Sequence, residues 1–163
     1  MKLETRRMSH LIGEYELTLD AKGRFLLPSA FRKQLPEGAD AQFVVSKGFE
    51  QCLNLYTMDE WNQLSEKINK LNDFNPQVRA FKRLFFNGAN IVEADAAGRL
   101  LLNKPLVEHA QLSKDIVLTA QGSKVEIWDK KLLDAHIQSK MGDFSDLANE
   151  VLGGGFISPF ESM

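Results

Sequence analysis

The chain has 163 residues, of which 44% are hydrophobic and 26% are charged. This composition is typical of a globular protein and excludes a chain that is disordered throughout, while apolar runs such as 25–27 and 116–118 are far shorter than the roughly 20 residues of a membrane-spanning helix. The formal net charge of −2 excludes nucleic-acid binding by overall positive charge, although residues 1–35 hold seven basic side chains against four acidic ones.

The N-terminal segment is basic, but no apolar core follows it, and Cys52 is the only cysteine. A secretory signal requires such a core. A lone thiol excludes an internal disulfide and a thiolate metal cluster within one chain, which fits a reducing compartment. We therefore expect a cytoplasmic protein. Residues 1–9 are interpreted as an N-terminal extension, with Met8 as an alternative start.

Residues 10–57 are predicted to form a first β-rich repeat. The order is strand, tight turn, strand, short helix and then two more strands, and the alternation of apolar and polar residues is clearest at 53–55. Pro28 fits the first turn of the short helix, because that turn tolerates a missing N–H group. Pro36 is expected to end this helix.

Residues 58–87 are predicted to be a helical connection of two amphipathic helices, one over about 59–71 and one that opens at Pro76. The second helix has a basic face and an aromatic face. The basic face is typical of a solvated helix surface, and the aromatic residues are expected in a core or a subunit contact. The residues concerned are Arg79, Lys82 and Arg83 on the basic face and Phe81, Phe85 and Phe86 in the aromatic group.

Residues 88–130 are predicted to form a second copy of the same unit. Residues 15–32 align without gaps on residues 90–107, and the later strand pair shows the same likeness. Asn103 is expected to cap the short helix of this copy. Residues 131–163 are predicted to hold a further helix and a flexible tail.

The most informative element of each copy is a tight turn that starts with aspartate and ends with glycine and arginine. Aspartate is favoured at the first position of a type I turn, and glycine at the fourth position is free to take positive φ. The arginine is then the first residue of the returning strand. The two turns contain Asp20, Lys22, Gly23 and Arg24 in the first copy and Asp95, Ala97, Gly98 and Arg99 in the second.

These motifs resemble the MraZ family. The resemblance rests on Leu-Asp-Ala-Lys-Gly-Arg-Phe-Leu-Leu-Pro at 19–28, on its echo Glu-Ala-Asp-Ala-Ala-Gly-Arg-Leu-Leu-Leu at 93–102, and on the aromatic strand ends at Tyr56 and Trp128. It covers about residues 10–140. The Asp-x-x-x-Arg motif occurs twice at a fixed offset, which makes the likeness specific.

The resemblance implies an α+β, β-rich fold in which two tandem AbrB-like repeats form a swapped-hairpin β-barrel with flanking helices. It also implies a sequence-specific DNA-binding transcriptional regulator that forms ring-shaped homo-oligomers. Such a regulator would associate with the nucleoid and control its own cell-division and cell-wall operon through tandem repeats in the promoter. Double-stranded DNA and further copies of the chain are thus the expected partners.

Arg24 is the first candidate for a DNA contact, because an arginine at the base of a rigid turn is a preorganised, permanently charged phosphate ligand. Lys22 and Gly23 at the turn, with Arg32 and Lys33 on the following helix, extend the candidate site. In the second copy the candidates are Arg99 and Asp95, with less positive surroundings. Asp20 is expected to orient Arg24 by accepting backbone N–H groups.

Several alternatives stay open. Arg99 could simply pair with Asp95 or serve a subunit interface, and Arg32 and Lys33 could lie on a solvated helix face. The alternative function is a ring-forming interaction or assembly protein without specific DNA binding. No metal-ligand spacing, nucleophile motif or nucleotide loop is visible, so neither an enzyme, a cofactor nor a metal is predicted.

Overall fold

The computed structural model describes residues 10–153. The described residues up to Lys130 form one compact unit, and those from Lys131 onward form a second. In chain order the elements are β1 (Leu11–Thr18), β2 (Arg24–Leu26), α1 (Ser29–Arg32), β3 (Gln42–Lys47), β4 (Leu53–Thr57), α2 (Met58–Asn69), α3 (Pro76–Phe86), β5 (Asn90–Glu93), β6 (Arg99–Leu101), α4 (Lys104–Ala110), β7 (Asp115–Gly122), β8 (Val125–Asp129), α5 (Lys130–Met141) and α6 (Phe144–Val151).

The main sheet has six antiparallel strands in the order β1-β7-β8-β4-β3-β5. A second sheet consists of β2 and β6 alone. The predicted α+β, β-rich class with two repeats is confirmed, but the sheet does not form a closed barrel, as the predicted swapped-hairpin β-barrel would suggest. The main sheet stays open, with β1 and β5 as its edges, because β2 and β6 are only three residues long and pair with each other instead of extending an edge.

The two repeats exchange strands. The first strand of each repeat pairs with the other repeat, since β1 lies against β7 and β5 lies against β3. The register is also symmetric. Phe25 lies opposite its counterpart Leu100 in the small sheet, and Asn54 lies opposite Glu126 where β4 meets β8. The interlocking of strands that the family resemblance implies is therefore present within one chain.

The hydrophobic core lies between the small sheet and the main sheet. Phe25 and Leu100 are 1% and 0% exposed, and the strand-end residues Leu27 and Leu102 are buried beside them. Burying a side chain of this size contributes about 1.5–3 kcal/mol. Each tight turn therefore leads directly into a strand whose central residue is anchored in the core, and this anchoring holds the turns in place.

Side chains cap the starts of two predicted helices, α3 and α4. Asn103 accepts the backbone N–H of Leu106 at the start of α4, and Asn75 accepts that of Gln77 at the start of α3. Helix α1 is shorter than the distance between Pro28 and Pro36 suggests. Helix α6 is not predicted by the sequence analysis. No helix among residues 10–153 is long and apolar enough to span a membrane.

Candidate nucleic-acid interface

The first turn is closed by its own aspartate. The Asp20 carbonyl oxygen accepts the Gly23 N–H over 3.0 Å, as the four-residue turn requires. The Asp20 Oδ1 accepts two further backbone N–H groups, from Lys22 at 2.9 Å and from Arg24 at 2.8 Å. The first and last residues of the turn region are also hydrogen-bonded, because the Asp20 N–H donates to the Arg24 carbonyl over 2.9 Å. These four hydrogen bonds, all made by Asp20, hold the backbone of the turn in one conformation.

The same carboxylate also orients the arginine. The Arg24 Nε donates to the Asp20 Oδ2 over 2.8 Å, and the Arg24 side chain remains 28% exposed. Within residues 10–153 neither terminal nitrogen of this guanidinium has a hydrogen-bond partner. The backbone N–H of Arg24, reinforced by its side chain and by the Lys22 N–H, holds the pKa of Asp20 below its ordinary value. Asp20 therefore stays ionised and leaves two donor groups of Arg24 available to a ligand.

The second turn has the same geometry. Asp95 Oδ1 accepts the Ala97 and Arg99 N–H groups, each over 2.9 Å, and Asp95 Oδ2 accepts the Arg99 Nε over 2.9 Å. The pKa of Asp95 is lowered, first by the Arg99 backbone N–H. Arg99 therefore does pair with Asp95, but Arg24 pairs with Asp20 in the same way. This pairing alone does not separate a structural role from a binding role.

The glycine of each turn contacts the opposite repeat. Gly23 and Gly98 both have φ of +87°, which side-chain-bearing residues rarely adopt. The Gly23 carbonyl accepts the Leu102 N–H over 2.8 Å, and the Gly98 carbonyl accepts the Leu27 N–H over 3.2 Å. Each turn is therefore fixed by the strand end that follows the other turn.

The structure places Arg32 differently from what its sequence position suggests. We expected it to extend the site around Arg24, but a methyl group added to Gly98 would lie 3.0 Å from the Arg32 Nη1, so Arg32 lies against the second turn. Strand exchange is the reason, because it carries α1 to the opposite repeat's turn. Arg32 also lies 4.0 Å from Asp40. Lys33, the residue that ends α1, is exposed.

A cleft of about 870 Å³ lies beside the first turn and includes residues from both repeats. It contains Asp20, Lys22 and Gly23 together with Lys104 and Lys114 of the second repeat. Neither of these lysines is among the candidate residues predicted from the sequence. They could have been found from the strand exchange that the family resemblance implies, because strand exchange brings residues that follow one turn close to the other turn.

Two of the three basic residues on α3 have partners close to this helix. Lys82 Nζ lies 2.7 Å from Asp73 Oδ1, and Arg79 Nη1 donates to the Asp73 carbonyl over 2.9 Å. On the other face of α3, the ring of Phe85 stacks on Trp61 with centroids 5.6 Å apart. In the part of the chain that the structure describes, no group of three or more His, Cys, Asp or Glu side chains is arranged to hold a metal ion. The two turns thus remain the strongest candidate surface.

Comparison with known proteins gives consistent matches. The family described as "MraZ protein, putative antitoxin-like" matches residues 10–84 and again residues 85–152. A protein of Flavobacterium psychrophilum named "Transcriptional regulator MraZ" is 45% identical over 147 residues, which cover 90% of this chain and 94% of that protein. Proteins of the same name from Caldanaerobacter subterraneus and Desulfitobacterium hafniense are 38% identical over 141 residues (86% of this chain, 96% of that protein) and 46% identical over 121 residues (74% and 82%).

Proposed function

The chain belongs to the MraZ family, and from that premise we propose that it is a transcriptional regulator that binds double-stranded DNA through its two aspartate–arginine turns. The observation that carries the proposal is the geometry of Arg24. Its guanidinium is held through Nε by Asp20, and its terminal nitrogens have no partner within residues 10–153. An arginine fixed in this way presents a planar pair of donors, which suits phosphate oxygens or a guanine edge.

Local charge reconciles DNA binding with the net charge of −2. The first turn combines Arg24 and Lys22, and the second combines Arg99 with the neighbouring Arg32. The adjacent carboxylates Asp20 and Asp95 are engaged by backbone N–H groups, so their charge is partly compensated. A local basic surface can attract a polyanion even when the whole protein is slightly acidic.

Two turns offer few cations for one subunit, and phosphate contacts weaken steeply with salt. Useful affinity therefore requires several subunits on repeated sites, because linked subunits raise the effective concentration of each further contact. A ring-shaped homo-oligomer on tandem promoter repeats fulfils this requirement. We propose that the protein acts in the cytoplasm, on the nucleoid, and controls its own cell-division and cell-wall operon.

The test is binding of a fluorescein-labelled duplex from upstream of the protein's own gene, measured by anisotropy across a salt series. A scrambled duplex is the specificity control, and Arg24→Ala is compared with Arg79→Ala on α3. Size-exclusion chromatography verifies that each variant keeps the wild-type oligomer.

We expect the wild type and Arg79→Ala to bind the upstream duplex preferentially and Arg24→Ala to lose most of this affinity. Equal binding by Arg24→Ala and the wild type would reject the turn as the contact site. Absence of specific binding by the wild type would instead favour an assembly protein.

A further inference from the structure

Two backbone hydrogen bonds bring the second repeat to the first turn. The Leu19 N–H, immediately before Asp20, donates to the Lys114 carbonyl over 2.8 Å. The Leu102 N–H, two residues before Lys104, donates to the Gly23 carbonyl over 2.8 Å. These two bonds hold the backbone at Lys114 next to the start of the first turn and the backbone just before Lys104 next to its end.

With these two hydrogen bonds in place, three exposed lysines lie around one cleft. Lys22 lies at the turn, and Lys104 and Lys114 line the same cleft from the second repeat. Asp20 also lines the cleft, but its carboxylate accepts hydrogen bonds from Arg24 and from backbone N–H groups. None of the three lysines has an ion-pair partner within residues 10–153. Their ammonium groups are thus available to a ligand.

The second turn lacks this arrangement, although the backbone around it is the same. There the equivalent backbone hydrogen bond is donated by the Ala94 N–H to the Ala41 carbonyl over 2.9 Å. Ala41 therefore takes the place of Lys114. By the same alignment Ser29 corresponds to Lys104, and Ala97 corresponds to Lys22. The second turn has Arg32 instead, beside Asp40. The two turns therefore have equivalent backbones, but the basic side chains around them differ.

We infer that Lys22, Lys104 and Lys114 form one composite phosphate-binding site at the first turn, in which the second repeat supplies two of the three cations. The ligand is the sugar–phosphate backbone of the DNA duplex, and the inference rests on the proposed DNA binding. Lysine suits this role because its ammonium is a point charge on a flexible stem, which adapts to successive phosphates while Arg24 holds a fixed position.

The test removes the two lysines of the second repeat and compares the result with an equal loss of charge elsewhere. The variant is Lys104→Gln with Lys114→Gln. Its matched control is Lys67→Gln with Lys70→Gln, two exposed positions at α2 and its C-terminal end. Anisotropy with the same upstream duplex gives the slope of log affinity against log salt, and circular dichroism verifies the fold.

We expect the slope of the Lys104/Lys114 variant to be shallower by about 1.8 per bound subunit, since each phosphate contact contributes roughly 0.9. The Lys67/Lys70 control should keep the wild-type slope. Equal slopes for the two variants would overturn the composite site while leaving DNA binding itself intact. No duplex binding by the wild type would overturn the proposed function and this inference together.

Discussion

The Leu102 N–H donates to the Gly23 carbonyl over 2.8 Å, and the same approach leaves no room for a side chain on Gly23. A methyl group at Gly23 would lie 2.9 Å from the Leu102 carbonyl oxygen, which belongs to the backbone and has little freedom to move. Through this contact the first turn, which we propose as a DNA-contact surface, is held by the second repeat.

Gly23→Ala is therefore expected to be more destabilising than the same change at a glycine with similar φ but open surroundings. Gly38 is the control, with φ of +82° and no atom within 4 Å of an added methyl group. Both variants carry about 1–2 kcal/mol of left-handed backbone strain. Gly23→Ala should lower the free energy of unfolding by about 1–3 kcal/mol more, because the added methyl group overpacks the contact with Leu102. Urea unfolding measures the difference, and equal losses would contradict the close approach.

Asp20→Asn is expected to weaken DNA binding by about two- to fivefold, the range of an exposed ion pair. If the Asn oxygen keeps the two backbone N–H groups, its NH2 group faces the Arg24 Nε, so two donors meet and the guanidinium leaves its position. A purely electrostatic role predicts the opposite sign, because one negative charge near the DNA is removed. Anisotropy at fixed salt distinguishes the two, and tighter binding would reject a positioning role for Asp20.

Acid should remove the stabilising effect of both turn carboxylates. Hydrogen bonds from backbone N–H groups and arginine hold the pKa of Asp20 and Asp95 below 3.8, so these groups bind protons more readily in the unfolded chain. Their contribution is complete above that value and is lost as the pH falls through the lower folded-state pKa.

Urea unfolding of the wild type and of Asp20→Asn with Asp95→Asn at several pH values checks this expectation. The difference in free energy of unfolding between the two proteins should shrink below about pH 3.8. A difference that is constant across that range would show that the carboxylates do not contribute through their charge.

Much of the turn geometry could be predicted from the sequence, because it depends on local chemistry. Aspartate first, glycine fourth and arginine next in the chain suffice for the hydrogen bonds that the Asp20 carboxylate accepts. The start of α4 at Asn103 is equally local. The position of Arg32 beside the second turn, by contrast, could not be predicted, because its neighbour is set by long-range strand pairing and not by distance along the chain.

The same limit explains the other differences. Lys104 and Lys114 are separated from Lys22 by about eighty residues or more, so no local pattern connects the three. Closure of a barrel depends on whether the short strands β2 and β6 pair with each other or with an edge of the main sheet, and the alternation of residues is compatible with both.

Adding lysines beside the second turn should strengthen DNA binding. Ser29→Lys with Ala41→Lys reproduces, at two exposed equivalent positions, the lysines that surround the first turn. The slope of log affinity against log salt should become steeper, by up to about 0.9 for each new phosphate contact. Asn62→Lys with Gln63→Lys on α2 adds the same charge away from the turns. A gain of equal size in that control would mean that only net charge matters.

Hydrogen–deuterium exchange with and without the upstream duplex tests the central claim most directly, because it locates the protected surface in the full-length wild-type protein. We expect slower exchange in peptides that cover residues 18–27 and, to a smaller extent, 93–102, where the turn N–H groups donate to Asp20 and Asp95. Peptides from α3 should exchange unchanged. Bound duplex with protection on α3 and none at either turn would contradict the account.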